Sequence, residues 1–328
     1  MRVQSKFKDM QMSATIYDIA KLTGYNPGTV SRALNGDPRV KQKTQEIIRQ
    51  AGELLGYVPN LAAKSLITKK TGIIAVVSRT ATNGPMSSLM LGMNKSLLKH
   101  DYMLMSLIYN TKEQFQRCMA RLKCGFCDGA ILLSPRAEYV DVPEFKLLMK
   151  SAYPLVVFDQ WIPDLPLPQL TNDAEKSIAM LTNELMNAGM DGAFLNFYSD
   201  NVVTEWRKKC TEKLLRKARI PFTCDQERIP ELFKKHKIRN FGVYSDCTDE
   251  PLRDVERFLP QEGNYQCLGA IFDTWHKIFP RYFSRIFLCA QDIDGESEAA
   301  VNILFDMMNG KSPSPKRIDY PPKEILTL

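Results

Sequence analysis

Residues 15–35 read TIYDIAKLTGYNPGTVSRALN, and this stretch decides the fold of the N-terminal region. Apolar residues recur at helical spacing in its first half, at Ile16, Ile19, Ala20 and Leu22. Gly24 then ends that helix and permits a tight turn. Asn26 is a good N-cap and Pro27 suits a first helical position, so a second helix is predicted to begin there. The pattern predicts a helix-turn-helix.

The second helix of this pair has an apolar side and a polar side. Val30, Ala33 and Leu34 are predicted to point inward. The outward side carries small, polar or cationic residues, namely Gly28, Thr29, Ser31, Arg32 and Asn35. Side chains of this kind enter the major groove of DNA and hydrogen-bond to base edges there. The residues therefore indicate a recognition helix.

The distribution of charge supports binding to nucleic acid. Residues 1–71 contain 12 Lys and Arg against 5 Asp and Glu, so this fifth of the chain carries the whole net charge of +7. Basic residues that merely solvated helical surfaces would be scattered along the sequence. Their concentration beside a helix-turn-helix is typical of a surface that binds phosphates.

Residues 40–56 predict a third amphipathic helix, which Gly56 closes. Its apolar side is expected to contain Val40, Thr44, Ile47, Ile48, Ala51, Leu54 and Leu55. Pro59 ends this element, and Asn60 is placed to cap a short helix that runs to about Ile67. Because a helix of two turns is marginal alone, we expect it to form when it packs on DNA and on a second subunit.

From residue 71 onward, short apolar runs alternate with helical segments. The runs suit strands of buried parallel sheets and lie at 72–77, 102–108, 129–133, 154–158, 192–197, 241–244, 267–272 and 285–288. Helices are predicted at 86–99, 112–123, 143–151, 174–188, 202–218 and 297–309. This order predicts two doubly wound α/β lobes with a cleft at the carboxyl ends of the strands.

Little else in the sequence points to chemistry. Cys124-Gly-Phe-Cys127 has the spacing of a metal or redox site, but no second cysteine pair or nearby His completes it, so packing is the expected role. The three histidines form no motif, and no phosphate loop or nucleophile elbow is present. We therefore expect no metal, no cofactor and no catalytic residue. Irregularly spaced cysteines, polar residues 1–11 and the lack of an apolar run near ~18–20 residues predict a cytoplasmic protein without a membrane span.

The N-terminal residues resemble the headpiece of the LacI/GalR family of bacterial transcription regulators. The resemblance rests on residues 15–20, 29–32, 34–36, 39–40, 44, 55–60 and 62–66. In that family a homodimer binds a palindromic operator in double-stranded DNA. Each recognition helix reads one half-site, and paired hinge helices enter the central minor groove. The resemblance therefore implies a homodimeric, sequence-specific DNA-binding protein.

The resemblance implies a role for each DNA-binding residue that matches a position of the family's headpiece. Pro27, Gly28 and Arg32 occupy base-reading positions, and Arg32 is the candidate for a guanine contact. Leu66 is expected to be an apolar wedge that kinks the duplex. Ten further residues are expected to contact the DNA backbone or to position the helices: Tyr17, Asn26, Thr29, Ser31, Asn35, Arg39, Thr44, Tyr57, Asn60 and Ala63. Lys41 stands where the family usually has a small hydroxyl cap, so the third helix is expected to be less well capped and Lys41 to contact phosphate.

The remainder of the chain resembles the effector-binding and dimerising core of the family, which is similar to periplasmic sugar-binding proteins. Arg207 stands where family members hold an effector-binding arginine, and Trp161 is placed to stack on a ligand. The expected effector-binding set is Asn83, Asp159, Trp161, Arg207, Asp246 and Asp273. The chain departs from the family at residues 83–86, which replace the usual Asn-Pro-Phe-Phe, and at residues 245–252.

The predicted organisation has four parts: a disordered extension at 1–12, a headpiece at 13–59, a hinge helix and linker at 60–70, and a two-lobed core at 71–328. The sequence is compatible with a translation start at Met1 or at Met12. The predicted function is that of a repressor whose affinity for its operator changes when a small, sugar-like effector closes the cleft. Two alternatives stay open: the same dimer with a core that binds no effector, and a sugar-binding or hydrolytic protein on the same scaffold.

Overall fold

The computed structural model describes residues 14–58, 65, 68–79, 84–197, 202–246, 249–272, 279–311 and 317–328. The chain divides into two compact units, Met1–Thr71 and Gly72–Leu328. The predicted extension at 1–12 lies outside the described residues, as does nearly all of the predicted hinge helix. Among the described residues, no helix is both long enough and apolar enough to cross a membrane.

Three short helices form the first unit: α1 (Ile16–Thr23), α2 (Pro27–Leu34) and α3 (Gln42–Leu54). Thr15 and Asp18 form a reciprocal capping box at the start of α1, and Gly24 ends it at φ +74°. The Asn26 side chain caps α2 by accepting a hydrogen bond from the Thr29 amide at 2.8 Å. The predicted helix-turn-helix, with its turn and its cap, is therefore confirmed.

The third helix begins without a side-chain cap. Lys41 occupies the N-cap position and makes no capping hydrogen bond. A side-chain cap contributes about 1 kcal/mol to helix stability, and α3 lacks this contribution. The expected weaker capping is confirmed, and the phosphate contact of Lys41 stays a prediction.

The core of the first unit is smaller than the sequence pattern predicted. It is built on the fully buried Ile19, Val30 and Ile48, together with Ala20, Ala33, Val40 and Ala51. Four residues that the sequence places on the apolar sides of α1 and α3 are instead exposed: Leu22 (52%), Ile47 (39%), Leu54 (79%) and Leu55 (36%). Those predictions were wrong because three short helices enclose only one narrow side of each helix. On α3, Ile48 and Ala51 face the core, and Ile47 lies about 100° around the helix from Ile48.

The second unit alternates strands with helices in chain order. Its elements are β1 (Ile73–Ser78), α4 (Gly84–Leu98), β2 (Met103–Ile108), α5 (Lys112–Leu122), β3 (Gly129–Leu133), α6 (Pro143–Lys150), β4 (Leu155–Phe158), β5 (Gln169–Asn172), α7 (Ala174–Asn187), β6 (Gly192–Asn196), α8 (Val202–Ala218), β7 (Phe222–Thr223), α9 (Ile229–His236), β8 (Asn240–Ser245), α10 (Asp249–Val255), β9 (Gln266–Phe272), β10 (Arg285–Ala290), α11 (Ile293–Met308), β11 (Arg317–Tyr320) and β12 (Glu324–Thr327). Short 3-10 turns lie at Ala137–Tyr139, Gln226–Arg228 and Glu256–Phe258.

Two six-stranded sheets organise this unit into two lobes. The sheet of lobe 1 has the order β11-β5-β4-β3-β1-β2, and all of its pairs are parallel. The sheet of lobe 2 has the order β12-β10-β9-β8-β6-β7, and only its edge strand β12 pairs antiparallel. Apolar clusters cover both faces of each sheet. The predicted pair of doubly wound α/β lobes is confirmed.

Along the described elements the chain passes between the lobes three times. It leaves lobe 1 after β5 and continues into α7, which packs on β9 and β10 of lobe 2. It returns after β10 through α11, which packs on α4, β3 and β4 of lobe 1. It crosses again between β11 and β12. The carboxyl ends of β5 and β10 therefore lie at the junction of the lobes, where a ligand cleft is expected in such folds.

Six elements of the core were not predicted. They are β5, β7, β11, β12, α9 and α10. The clearest case is β5, whose residues Gln-Leu-Thr-Asn are all buried although three of them are polar. Hydrophobic periodicity gives no signal for such a strand, because its polar side chains are buried by the neighbouring elements. The predicted start of α11 at Ser297 was also late by one helical turn, since the helix begins at Ile293.

Candidate DNA-binding surface and effector cleft

The outward side of α2 presents the residues predicted to read bases. Arg32 is exposed, and its Nε donates to the Gly28 carbonyl at 3.1 Å. This contact lays the side chain along the helix toward its N-terminus, with the outer guanidinium nitrogens beyond it. Pro27, Gly28 and Arg32 thus lie on one exposed side of the helix.

The other predicted DNA contacts of the first unit differ in exposure. Tyr17 on α1 is 73% exposed, and Asn35 is exposed while its Nδ2 donates to the Ser31 carbonyl at 2.8 Å. Thr29, Ser31, Thr44 and Tyr57 are half-buried. Tyr57 also packs against the core of this unit, so it stabilises the fold as well as offering a hydroxyl. Asn60, Ala63 and Leu66 lie outside the described residues, and their roles stay predictions.

Arg39 is held by Asp37 in the turn that precedes α3. Its Nη2 lies 2.6 Å from Asp37 Oδ2, its Nε donates to both carboxylate oxygens, and its amide donates to Oδ1 at 2.9 Å. These hydrogen bonds from Arg39 hold the pKa of Asp37 at about 2. The guanidinium is 76% exposed, so Asp37 orients Arg39 without covering it.

In the second unit, an ion pair joins two of the predicted effector residues. Arg207 projects from α8, and Asp246 follows β8. Arg207 Nη1 lies 2.8 Å from Asp246 Oδ1, with the side chains only 7% and 11% exposed. The Thr204 hydroxyl donates to the second oxygen of Asp246, and the guanidinium lies over the Phe272 ring at 4.4 Å. A buried, stacked arginine of this kind is held rigidly.

Asp159 lies on the lobe 1 side, directly after β4. Its Oδ2 accepts from the Ser134 hydroxyl at 2.6 Å and its Oδ1 from Asn172 Nδ2 at 3.3 Å. Its backbone adopts φ +56°. Burial raises the pKa of Asp159 above its usual range, and the hydrogen bond from Ser134 and the charge of Arg207 act against that rise. Asn172, which donates to Asp159, also lines a small cavity with Val202, Val203 and Trp206 of lobe 2. Asp159 therefore lies beside the junction of the lobes.

The substitution Asp159→Asn tests this environment. Because burial raises the pKa of Asp159 in the folded chain, its ionisation costs stability as pH rises through the folded pKa. Asn carries no such cost and tolerates a positive φ. We expect the variant to be more stable than the parent at neutral pH, with the gain shrinking as pH falls toward about 4.

Urea unfolding at a series of pH values measures this difference. Asp164→Asn is the matched control, because Asp164 also has a positive φ, at +59°, but is exposed. A gain for Asp159→Asn that stays constant or grows at acid pH would contradict the expected environment.

Trp161 meets an internal partner at the junction of the lobes. The Arg317 guanidinium lies 4.5 Å from the centre of the Trp161 ring and 5.6 Å from that of Trp206 on α8. Arg317 belongs to lobe 1 and also pairs with Asp319 at 2.7 Å. A cavity of about 350 Å³ beside this stack is lined by Asp173, Glu175, Trp206, Arg317 and Asp319. One face of Trp161 is therefore covered by Arg317 rather than open to a ligand.

Several buried polar atoms near the cleft have no hydrogen-bond partner among the described residues. Ser78 Oγ and Asn196 Oδ1 lie at the carboxyl ends of β1 and β6. Thr171 Oγ1 and Trp206 Nε1 belong to residues that line a small cavity between the lobes. A buried polar group without a partner costs about 1–3 kcal/mol. These four atoms are the donors and acceptors that a polar ligand between the lobes would satisfy.

Sequence reasoning missed several residues of this cleft. Thr204 precedes Arg207 by three positions on one helix, and that spacing places both on the same side. It was the available signal for Thr204. Phe272, Ser134 and Asn172 gave no such signal, because each reaches the cleft from the end of a different strand. Asn83 and Asp273 lie outside the described residues and stay predictions.

The cysteine pair noted in the sequence belongs to lobe 1. Cys127 is buried in the apolar cluster between the sheet and α5, whereas Cys124 is exposed at the end of that helix. Burial raises the pKa of Cys127 to about 12, so its thiol stays protonated and unreactive at neutral pH. Within the described ranges, no group of three His, Cys, Asp or Glu is placed to hold a metal ion.

The described residues combine a helix-turn-helix unit, a motif whose second helix enters the major groove in DNA-binding proteins, with a two-lobed α/β core. Comparison with known proteins agrees. Residues 15–60 match the family model described as "Bacterial regulatory proteins, lacI family". The match covers α1, α2 and α3 of the first unit.

Individual relatives cover different shares of the two chains. Catabolite control protein A of Priestia megaterium is 29% identical over 182 residues, 54% of this chain and 53% of that protein. The protein of the same name from Staphylococcus aureus (strain Mu50 / ATCC 700699) is 28% identical over 257 residues, 77% of this chain and 71% of that protein. The probable HTH-type transcriptional repressor ExuR of Bacillus subtilis (strain 168) is 33% identical over 168 residues, 50% and 48% of the two chains. The chain thus spans about half the length of two of these relatives.

Solved structures show the same fold. The lac repressor dimer bound to operator and the anti-inducer ONPF superposes with a TM-score of 0.71 at 17% identity, covering 95% of this chain and 97% of that one. The complex of transcriptional regulator CelR with cellobiose gives a TM-score of 0.59 at 19% identity, covering 95% and 98%. Both carry the N-terminal helices and the two-lobed core in one chain.

Proposed function

We propose that this protein is a sequence-specific DNA-binding repressor whose affinity for a palindromic operator is modulated by a small, sugar-like effector. The observation that carries the proposal is the capped helix-turn-helix with Arg32 on its exposed side. The positive charge of residues 1–71 supplies attraction to phosphates. Since transcription regulators act where the chromosome is, we place the protein in the bacterial cytoplasm.

Within this proposal, Arg32 reads a base and its neighbours position the helix. The outer guanidinium nitrogens of Arg32 are the donors suited to guanine O6 and N7. Tyr17 on α1 and Asn35 at the end of α2 are exposed, and we assign both to phosphates. Arg39 is oriented for the same purpose by Asp37. Lys41, free of a capping role, adds a further cation to this side.

A homodimer is proposed because lobe 1 exposes large apolar side chains on adjoining elements. Leu91 and Leu98, seven residues apart on one side of α4, are 56% and 59% exposed. Ile108 on β2 is 52% exposed, and β2 is the edge strand of the sheet. We call α4 and β2 the dimerisation surface. Contiguous apolar patches of this kind mark protein interfaces, and the structural neighbour bound to operator is a dimer.

The double substitution Leu91→Glu, Leu98→Glu tests this surface. Both side chains are exposed in the single chain, so the fold is expected to tolerate the change. Two buried carboxylates per subunit would be strongly unfavourable in a dimer, so the protein should sediment as a monomer. Its operator affinity should fall as well, because two half-sites are no longer bound together.

Leu147→Glu is the control for that experiment, because Leu147 is 46% exposed on α6, at the opposite face of the lobe 1 sheet. It should leave the sedimentation coefficient unchanged. A dimer that survives both glutamates would place the interface elsewhere.

An effector in the cleft is favoured over a core that binds no ligand. The buried Ser78, Thr171, Asn196 and Trp206 supply polar atoms that the described protein residues do not satisfy. The Arg207–Asp246 pair is neutral as a unit, so it suits hydroxyl groups better than a formal charge. CelR is similar in fold and is bound to cellobiose in its structure. We propose no enzymatic activity, since its sequence relatives are regulators.

Selection of bound genomic fragments by the purified protein, at a stated salt concentration, tests the proposal. A palindrome is the expected result, and adding candidate neutral saccharides should change the affinity for it. Salt-sensitive binding without any sequence motif would show that the first unit binds DNA only through electrostatic attraction to phosphates. That result would contradict the proposal.

A further inference from the structure

The chain enters the core at Gly72, where a set of hydrogen bonds fixes it. The Gly72 amide donates to Asp128 Oδ2 at 2.9 Å. The Gly72 carbonyl accepts from the Met103 amide at 2.8 Å, and the Ile73 carbonyl accepts from the Asp128 amide at 2.9 Å. Gly72 lies at φ +70°, which glycine adopts without strain. The first residue of the core is thus held on two sides.

The Asp128 carboxylate also binds the start of β2. The Tyr102 hydroxyl hydrogen-bonds to it, and burial together with the charge of Asp128 raises the pKa of Tyr102 to about 12. Tyr102 therefore stays protonated and able to donate at neutral pH. Its ring packs edge-on against Phe305 of α11, with the ring centres 5.0 Å apart. The Asp128 carboxylate, in the loop before β3, therefore binds both Gly72 at the start of the core and Tyr102 at the start of the edge strand β2.

This position matters because β2 belongs to the dimerisation surface. Gly72 pairs with the first residue of β2, and Ile108 at its other end is exposed on that surface. In a dimer built on α4 and β2, the two Gly72 residues would lie at fixed places beside the subunit contact. Any shift of one lobe 1 against the other would move both entry points with it.

We infer that Asp128 is a positioning residue for operator recognition: it fixes the point at which the tether to each DNA-binding unit leaves the core. The inference rests on the proposed function. A fixed tether origin restricts the separation of the two recognition helices, and that separation selects the spacing of the operator half-sites. Releasing Gly72 adds residues to the tether between the core and the DNA-binding unit. A longer tether weakens that selection and lowers the effective concentration of the second DNA-binding unit.

Full-length Asp128→Ala, Asp128→Asn and Tyr102→Phe test the inference against the selected operator and against versions with one or two base pairs inserted between the half-sites. The ratio of affinities for native and expanded spacing is the measured quantity. We expect Asp128→Ala to lower this ratio at least about fivefold. Asp128→Asn should preserve most of it, since the Asn carbonyl still accepts from Gly72. The affinity ratio of Tyr102→Phe should lie between the ratios of Asp128→Ala and Asp128→Asn.

Asp101→Asn is the control. Asp101 precedes β2 and its backbone lies close to Gly72 in space, but its carboxylate is exposed, so the variant should leave the ratio unchanged. Thermal unfolding and sedimentation establish that each variant is folded and dimeric. A folded, dimeric Asp128→Ala with the parental ratio overturns the inference. If Asp128→Ala does not fold, the affinity ratio of Tyr102→Phe is measured instead. A ratio equal to that of the parent would then overturn the inference.

The proposed function and the role of Asp128 are tested by different outcomes. A parent protein that selects no palindrome removes the proposed function, and the inference falls with it. A parent that selects one spacing, with variants that select it equally well, removes only the role of Asp128.

Discussion

Asp246→Ala is expected to lower the free energy of unfolding of the core by about 3–5 kcal/mol. The substitution leaves the Arg207 guanidinium buried, 7% exposed, without the carboxylate that lies 2.8 Å away. It also leaves the Thr204 hydroxyl without its acceptor on Asp246. Breaking a buried ion pair from one side is costly because the remaining charge cannot return to water. Urea unfolding followed by circular dichroism measures the loss.

The double variant Arg207→Met, Asp246→Leu separates stability from function. Well-packed apolar residues replace a buried ion pair at little cost, so most of the stability should return. Any response of operator affinity to saccharides should remain absent, because the polar groups that orient the effector are gone. Lys95→Met is the control: it breaks a pair with Asp294 whose partners are 55% and 68% exposed, and should cost less than about 1 kcal/mol. Equal, small losses for Asp246→Ala and Lys95→Met would show that the cleft pair is solvated.

Arg32→Ala is expected to lower affinity for the selected operator about 5- to 150-fold, the equivalent of one bidentate base contact at about 1–3 kcal/mol. Arg32 is exposed, and its side chain hydrogen-bonds to the Gly28 carbonyl of the same helix rather than to the core of the unit. The fold should therefore be unaffected. The measurement is a titration with operator and with random DNA of equal length at one salt concentration.

Arg49→Ala supplies the charge-matched control for this titration. Arg49 lies on α3, 58% exposed and paired with Glu46 at 2.9 Å. It should change affinity for the two DNAs little and equally. If Arg32→Ala weakens operator and random DNA by the same factor, Arg32 contacts phosphate rather than a base.

The sequence was sufficient for the headpiece because its signals are local. A capping box, Gly24 at a positive φ and Asn26 with Pro27 each act within four residues. How far each helix is enclosed depends on distant neighbours, so Leu22 and Leu54 were assigned to the core although both are exposed. The same limit explains β5, a polar strand that is buried only because of what surrounds it.

The cleft residues were likewise predicted only in part. Arg207, Asp246 and Asp159 were named from a resemblance, and the structure brings these three together. The resemblance did not reveal that Arg207 and Asp246 pair with each other, since they are separated by 39 positions. Nor did it reveal Arg317 over Trp161, where the partner comes from a strand near the end of the chain. Contacts of this range depend on the topology of the two sheets, not on any local pattern.

The Arg317 stack gives the protein a built-in optical reporter. The chain has three tryptophans, and two of them, Trp161 of lobe 1 and Trp206 of lobe 2, share one guanidinium. A cation over an indole alters its emission. A relative rotation of the lobes would move Trp206 against Arg317, and would therefore change the fluorescence of the protein without any attached dye. Libraries of small molecules can then be screened by light emission alone, before the operator is known.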